Sequence, residues 1–226
     1  MFFLEKIQQI KDEYKVLEIG PGSDPFHRSD ILLELNYNDE LEMVAQFGHH
    51  NKLQTTKKVV YYDGKKFPFE DGEFDYVICS HVLEHVDDVD LFLSEIFRVA
   101  KQGYFEFPLI TYEYLYNVQA HLNYLRFDGE KLLLLKKNKT AIQDFKEINL
   151  FFLETLRNGF SHAIVKMPEL FIQGFEWNKS FEVEYLKDIK LLIPDYQGQI
   201  IKYEFSPSIK STFQLLLKLL KNKILG

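Results

Sequence analysis

The residues able to do chemistry fall at the ends of short apolar runs. Glu18 and then Gly20-Pro21-Gly22 close the run that starts at Val16, and Glu34 with Leu35 closes the one that starts at Ile31. Two glycines one residue apart let a ligand approach the backbone, because glycine tolerates positive φ and has no Cβ in the way. The two oxygens of Glu34 match a vicinal diol such as that of a ribose; outside that context a strand-end acid simply faces solvent. Asp63-Gly64 follows Val59-Val60-Tyr61-Tyr62, and Ser80-His81 follows the run from Phe74 to Cys79. His121 stands in a segment crowded with Tyr112, Glu113, Tyr114, Tyr116, Asn123 and Tyr124. A side chain titrating near neutrality is a candidate general base for a hydroxyl proton. His81 is a second candidate, with lining a ligand as its simpler task, and hydrogen-bonded structure is the alternative for both.

These residues need a scaffold that brings strand ends to one edge. The runs Val16–Ile19, Ile31–Leu35, Val59–Tyr62, Phe74–Cys79 and Tyr104–Phe107 read as five buried strands, the last ended by Pro108. In open α/β sheets ligands bind at the carboxyl ends of such strands. Phe3, Leu4, Ile7 and Ile10 have helical spacing, which predicts a helix over residues 2–14 ahead of the first strand. Only eight residues, Ser23 to Asp30, separate the glycines from the second strand. A parallel crossover normally takes about a dozen or more, so the first crossover helix is expected to be cut to a turn or two. Residues 36–57 carry Leu41, Val44 and Phe47 at helical spacing and then Gly48-His49-His50-Asn51. Adjacent histidines cannot readily face one metal, so that stretch reads as a loop. Glu84, His85, Asp87 and Asp88 could mimic a metal site, but capping the amphipathic helix Leu91–Val99 accounts for them more simply, and no metal is expected.

The long stretch Phe67-Pro68-Phe69-Glu70-Asp71-Gly72-Glu73-Phe74-Asp75-Tyr76-Val77-Ile78-Cys79-Ser80-His81-Val82-Leu83-Glu84-His85-Val86, following the Glu18 and Gly20-Pro21-Gly22 motif, carries a resemblance. From Val16 to about Pro108 the chain resembles class I S-adenosylmethionine-dependent methyltransferases, specifically the small type-11-like group. The resemblance implies an α/β fold with a Rossmann-like seven-stranded sheet, a shortened first crossover and an insertion after the fifth strand. It implies S-adenosylmethionine as cofactor, bound by Glu18, Gly20, Pro21, Gly22, Glu34, Leu35, Asp63, Gly64, Ser80 and His81. Within it, Asp63 would accept from the adenine amino group while the Gly64 N–H meets the ring. An Asp-Gly turn is the structural reading of the same pair, and both can hold.

The resemblance says little about the second half, which would carry the acceptor. Residues 1–108 are read as the cofactor core, 109–160 as a substrate lid or insertion, 161–208 as late strands completing the sheet, and 209–226 as an amphipathic helix. A hairpin is expected over Tyr124 to Lys136, turning at Asp128-Gly129-Glu130, and a helix over 141–158. Phe181–Tyr185 and Gln199–Tyr203 are expected as the late strands. Trp177 and Phe175 would line a pocket or, more simply, pack in the core. The last helix sets an apolar face against Lys218 and Lys221, which suits packing on its own domain, a protein partner or a membrane surface.

The chain has 226 residues, 46% hydrophobic and 27% charged, the composition of a folded globule. A net charge of −7 argues against nucleic acid as a partner. The lone Cys79, in an apolar run, reads as a small buried residue. No apolar run is long enough to span a membrane and the first charge comes too early for a signal peptide, so the expected compartment is the cytoplasm. The expected reaction is O-methylation of a small polar molecule, such as a sugar or sugar nucleotide of surface-glycan synthesis. Two rivals are a nicotinamide dehydrogenase, for which the third glycine is missing, and a non-catalytic cofactor-binding module acting through a partner.

Overall fold

A computed structural model describes residues 1–36, 53, 55–137, 146–157, 164–165 and 167–194. Four parallel crossings bring the strand ends to one edge. Strands β1 (Val16–Ile19), β2 (Ile31–Leu35), β3 (Lys58–Tyr62), β4 (Tyr76–Ser80) and β5 (Gly103–Pro108) stand in the order β3-β2-β1-β4-β5. A sixth strand, β8 (Ile172–Trp177), adds antiparallel to β5. The reversal in strand order beside β1 places a crevice at the carboxyl ends of β1 and β4, where doubly wound sheets take their ligands.

Strands β1, β2, β4 and β5 are buried on both faces because both are covered, while the edge strand β3 is partly exposed. One face packs on helix α1 (Val89–Val99), whose Val89, Phe92, Leu93, Ile96 and Val99 are buried at helical spacing against Leu17, Leu33, Val77 and Phe105. Asp88 caps it by accepting from the Leu91 N–H at 2.9 Å, the role expected of that acidic group. Cys79 is buried in this core. Trp177 also lies in it, stacked on Phe105, so packing is its role.

The other face is covered differently from expectation. Instead of a helix over residues 2–14 there is a single 3-10 turn, Leu4–Lys6, with Ile7, Ile10 and Tyr14 packed on Val16, Tyr76, Ile78 and Tyr104. The backbone donors that a helix would use are taken by carboxylates of the sheet: Phe2 and Phe3 donate to Glu106, and Gln8 and Gln9 to Glu176. Apolar spacing alone does not separate a helix from an extended strap whose donors are met by side chains.

Between β1 and β2 there is no helix at all. The loop is braced instead by side chains: Glu18 accepts from the Phe26 N–H at 2.9 Å and the Ser29 hydroxyl at 2.7 Å, Asp30 accepts from the Val16 N–H at 2.8 Å, and Lys57 donates to the carbonyls of Phe26 and His27.

After β5 come α2 (Ile110–Tyr116), the expected hairpin of β6 (Asn123–Phe127) and β7 (Leu132–Lys136), and α3 (Lys146–Arg157) within the expected helix. A short β9 (Val183–Tyr185) pairs parallel to β7, making a separate three-stranded sheet β6-β7-β9. This corrects the assignment of Phe181–Tyr185 to the main sheet, whose place beside β5 is taken by Ile172–Trp177. Polar-apolar alternation marks a strand but not its partner. The expected helix over residues 36–57, His49-His50, the strand Gln199–Tyr203 and the helix 209–226 lie outside the described residues. Among the described residues no helix is long and apolar enough to cross a membrane.

At Gly103 an added Cβ would run into the Val77 carbonyl oxygen and the Trp177 ring. Gly103→Ala is therefore expected to destabilise the fold by about 1–3 kcal/mol through overpacking, read as a lowered denaturation midpoint; an unchanged midpoint would show that β4 and β5 can part there without cost.

Candidate functional site

A cleft of about 1150 Å³ opens at the carboxyl ends of the strands. Ligand pockets are typically about 300–1,000 Å³, so it has room for a cofactor and a second molecule. One end is formed by Ile19 and Gly20 after β1, Glu34 and Leu35 after β2, and Asp63 and Gly64 after β3. The other is formed by His81, Glu84 and His85 after β4, together with Tyr112, Val118 to His121, Leu150 and Leu153 from the segment after β5.

The first end is shaped by a backbone that only glycine provides. Gly20 has φ +61°, and a Cβ there would strike Val82. Gly22 repeats the positive φ. Glu34 is buried at the end of β2, where one oxygen accepts from the Leu35 N–H at 2.8 Å. Burial pushes its pKa up to about 7, against the pull of that hydrogen bond. Asp63 is exposed and accepts from the Lys65 N–H at 3.1 Å, closing the Asp-Gly turn. Of the residues expected on the cofactor, Gly20, Glu34, Leu35, Asp63, Gly64 and His81 line this cleft. Glu18, Pro21, Gly22 and Ser80 do not: Glu18 lies beneath the loop it braces, and the Ser80 hydroxyl donates to Glu106 at 3.1 Å.

At the end of β4 the chain turns sharply, with His81 at φ +56°. Its Nδ1 lies 3.3 Å from Glu84 and its Nε2 3.1 Å from Glu106. Burial alone would lower the His81 pKa, but the two carboxylates outweigh it and hold it at about 9. The ring is thus a cation at neutral pH. Burial would likewise raise Glu106, but His81 first and the Tyr104 hydroxyl at 2.7 Å next keep its pKa at about 2. Glu106 also receives the backbone N–H groups of Phe2 and Phe3, tying the N-terminal strap to this edge.

The turn Leu83–His85 is bound to the segment before β6. Leu122 N–H donates to the Glu84 carbonyl at 2.7 Å, and the Asn123 amide donates to the carbonyls of Leu83 and Val86. That docking brings His121 against His85, ring centroids 4.7 Å apart and edge to face. His121 Nδ1 is paired with buried Glu113 of α2, whose other oxygen takes Lys137 Nζ at 3.2 Å. His85 Nδ1 lies 3.1 Å from the Ala120 carbonyl, which can only accept. Each ring therefore uses Nδ1 as a donor and leaves Nε2 outside these two contacts. Glu84 is buried beside them, its pKa lowered because His81, then His121 and His85, outweigh its burial. Glu84, His85 and His121 each offer a ligand atom, all within 4.8 Å of one another.

The sequence points to His81 and His121 but not to the acids paired with them. Glu84 and His85 follow His81 at i+3 and i+4, a spacing that foretells a shared face. Glu113 and Lys137 show no such signal, since chain reversal brings them to His121.

Residues 17–106 match the model of a family described as a methyltransferase domain. Norajmaline N-methyltransferase of Rauvolfia serpentina is 33% identical over 72 residues, 31% of this chain and 24% of that protein. The chain thus matches about a quarter of the length of this curated relative. Among solved structures, the YcgJ protein of Bacillus subtilis is 18% identical over 50% of this chain and 56% of its own, with a TM-score of 0.35. An S-adenosylmethionine-dependent methyltransferase of Mesorhizobium loti is 14% identical over 72% of this chain and 89% of its own, with a TM-score of 0.37.

The His81 ion pairs carry a sign in pH. A pKa raised from 6.5 to about 9 contributes stability that is whole below pH 6.5 and lost as pH rises through 9. Melting temperature is expected to fall across that window, and His81→Gln to flatten the fall while lowering stability at pH 6; an equal alkaline decline in His81→Gln would assign it to other groups.

Proposed function

We propose, from the premise that this chain belongs through residues 17–106 to the methyltransferase-domain family, that it is an S-adenosylmethionine-dependent methyltransferase acting on a hydroxyl of a small polar acceptor. The observation that carries this reading is one cleft joining an end lined by Gly20, Glu34, Asp63 and Gly64 to a histidine-carboxylate end. Glu34 takes the ribose hydroxyls, Asp63 and Gly64 the adenine edge, and Gly20 lets the cofactor lie against the backbone. Glu18 braces the loop that carries Pro21 and Gly22, and Ser80 ties the end of β4 to Glu106. The segment 109–160 serves as the lid, since α2 contributes Tyr112 and α3 contributes Leu150 and Leu153 to the cleft.

The cofactor brings an activated methyl group, so the protein's task is alignment and exclusion of water. A lone pair of the acceptor oxygen forms the new C–O bond as the C–S bond breaks, its electron pair returning to sulfur. The hydroxyl proton must leave, and its removal depends on His121, whose Nδ1 Glu113 holds. His81 is a cation at neutral pH and therefore lines the cofactor rather than taking a proton. A sugar or sugar nucleotide of surface-glycan synthesis is the acceptor class we favour: the acceptor end mixes Asp87, Asp88 and Gln119 with Tyr112 and Leu91, which suits a polyhydroxylated ring.

A buried Glu34 that titrates near 7 must be ionised to accept from two hydroxyls. In calorimetric titrations affinity for S-adenosylmethionine is expected to fall as pH drops below about 7. Glu34→Gln should weaken binding by about 1.5–3 kcal/mol and remove that slope; a slope unchanged in Glu34→Gln would take the ribose away from this residue. Glu113→Gln should bind the cofactor and lower transfer to a sugar acceptor by about 10²–10⁴-fold. Cofactor binding by the native chain without turnover on any sugar, alone or with a partner protein, would instead favour a non-catalytic module.

A further inference from the structure

We infer that Glu84, His85 and His121 form a site for one divalent first-row cation, of the Zn²⁺ or Mn²⁺ kind, at the acceptor end of the cleft. The first observation is the donor set: two imidazoles and a carboxylate, one ligand atom from each within 4.8 Å of the others. Ligand atoms about 2.1 Å from one ion stand roughly 3.4 Å apart around a tetrahedron, a closure within reach of ordinary side-chain rotation.

The second observation is how each histidine is held. A metal-ligating histidine donates its other ring N–H to a carboxylate or a backbone carbonyl, which fixes the tautomer and the ring. Both arrangements are present. His121 is held by Glu113, itself steadied by Lys137, and His85 by the Ala120 carbonyl. A histidine that merely packed in a core would not need a second group holding its ring beside another ligand-type side chain.

The third is Glu84. Its side chain is 1% exposed, and among the described residues neither carboxylate oxygen receives a hydrogen bond. The His81 ring at 3.3 Å balances its charge without satisfying its lone pairs. A buried carboxylate with unused acceptors is costly unless something fills them, and a cation facing the cleft does so. Three protein ligands leave positions open toward the cleft, the arrangement of a catalytic rather than a structural ion.

This inference rests on the methyltransferase reading and sharpens it. With the cation bound, the His121 lone pair is a ligand. Glu84, His85 and His121 would hold the ion, which would supply a Lewis acid that lowers the pKa of an acceptor hydroxyl reaching an open position. Transfer depends on His121 through the ion.

The test is calorimetric titration of the full chain, stripped with EDTA, with Zn²⁺ and separately with Mn²⁺, and of the same samples with S-adenosylhomocysteine. One equivalent of cation is expected to bind the native chain. Glu84→Gln and His85→Ala, each shown folded by circular dichroism, should weaken it at least 100-fold, and Glu113→Gln by about 10–100-fold. No cation binding by the native chain, or binding equally tight in Glu84→Gln and His85→Ala, overturns the inference; should one of those two variants fail to fold, the other decides. S-adenosylhomocysteine binding without cation binding defeats the cation site and leaves the methyltransferase reading in place. Cation binding without S-adenosylhomocysteine supports the site and defeats that reading.

Discussion

The carboxyl edge of the sheet depends on one buried pair of opposite charges, Glu106 at the end of β5 and His81 at the end of β4. A carboxylate 1% exposed is expensive unless its charge is met and its lone pairs are used. Here both are: His81 meets the charge, while Tyr104, Ser80, Phe2 and Phe3 supply donors. The consequences run outward. The N-terminal strap is drawn over the sheet, and the β4 strand end turns through a positive φ at His81. That turn delivers Glu84 and His85 to the cleft.

The cleft then has two ends with different electrostatics, and each suits a different partner. At the β1–β3 end the buried acid that lines the cleft, Glu34, is held partly protonated by burial, and a ligand donating two hydroxyls would restore its charge. At the other end Glu84 stays ionised because histidines surround it. Building that second end from segments before and after β5 allows the acceptor site to change without disturbing the nucleoside end.

The first half of the fold was legible because its strands are apolar throughout, the pattern of a sheet covered on both faces, and because their ends carry glycine and acid at telling positions. The capping expected of the acids before α1, met at Asp88, and the hairpin expected over 124–136 were legible from local chemistry. What escaped depended on partners distant in sequence. Residues 2–14 have helical spacing, but Glu106 and Glu176 claim their donors. Phe181–Tyr185 alternates like a strand of any sheet, and only the position of β7 decides which. Gly20, Glu34, Asp63 and His81 were found at strand ends as the topology requires. Glu113 and Lys137 were not found as a unit with His121, because only the reversal through α2 and the β6–β7 hairpin joins them. Reading Glu84 and His85 as helix caps followed from their place before α1, whereas Asp88 alone does that work.

The most direct test of the central claim, that one cleft seats a nucleoside at β1–β3 and presents its sulfur to the histidine end, is a crystal structure with S-adenosylhomocysteine bound. The account requires the ribose hydroxyls on Glu34, the adenine beside Asp63 and Gly64, and the sulfur facing His85 and His121. A nucleoside bound elsewhere, or with its sulfur turned away from those histidines, would contradict it.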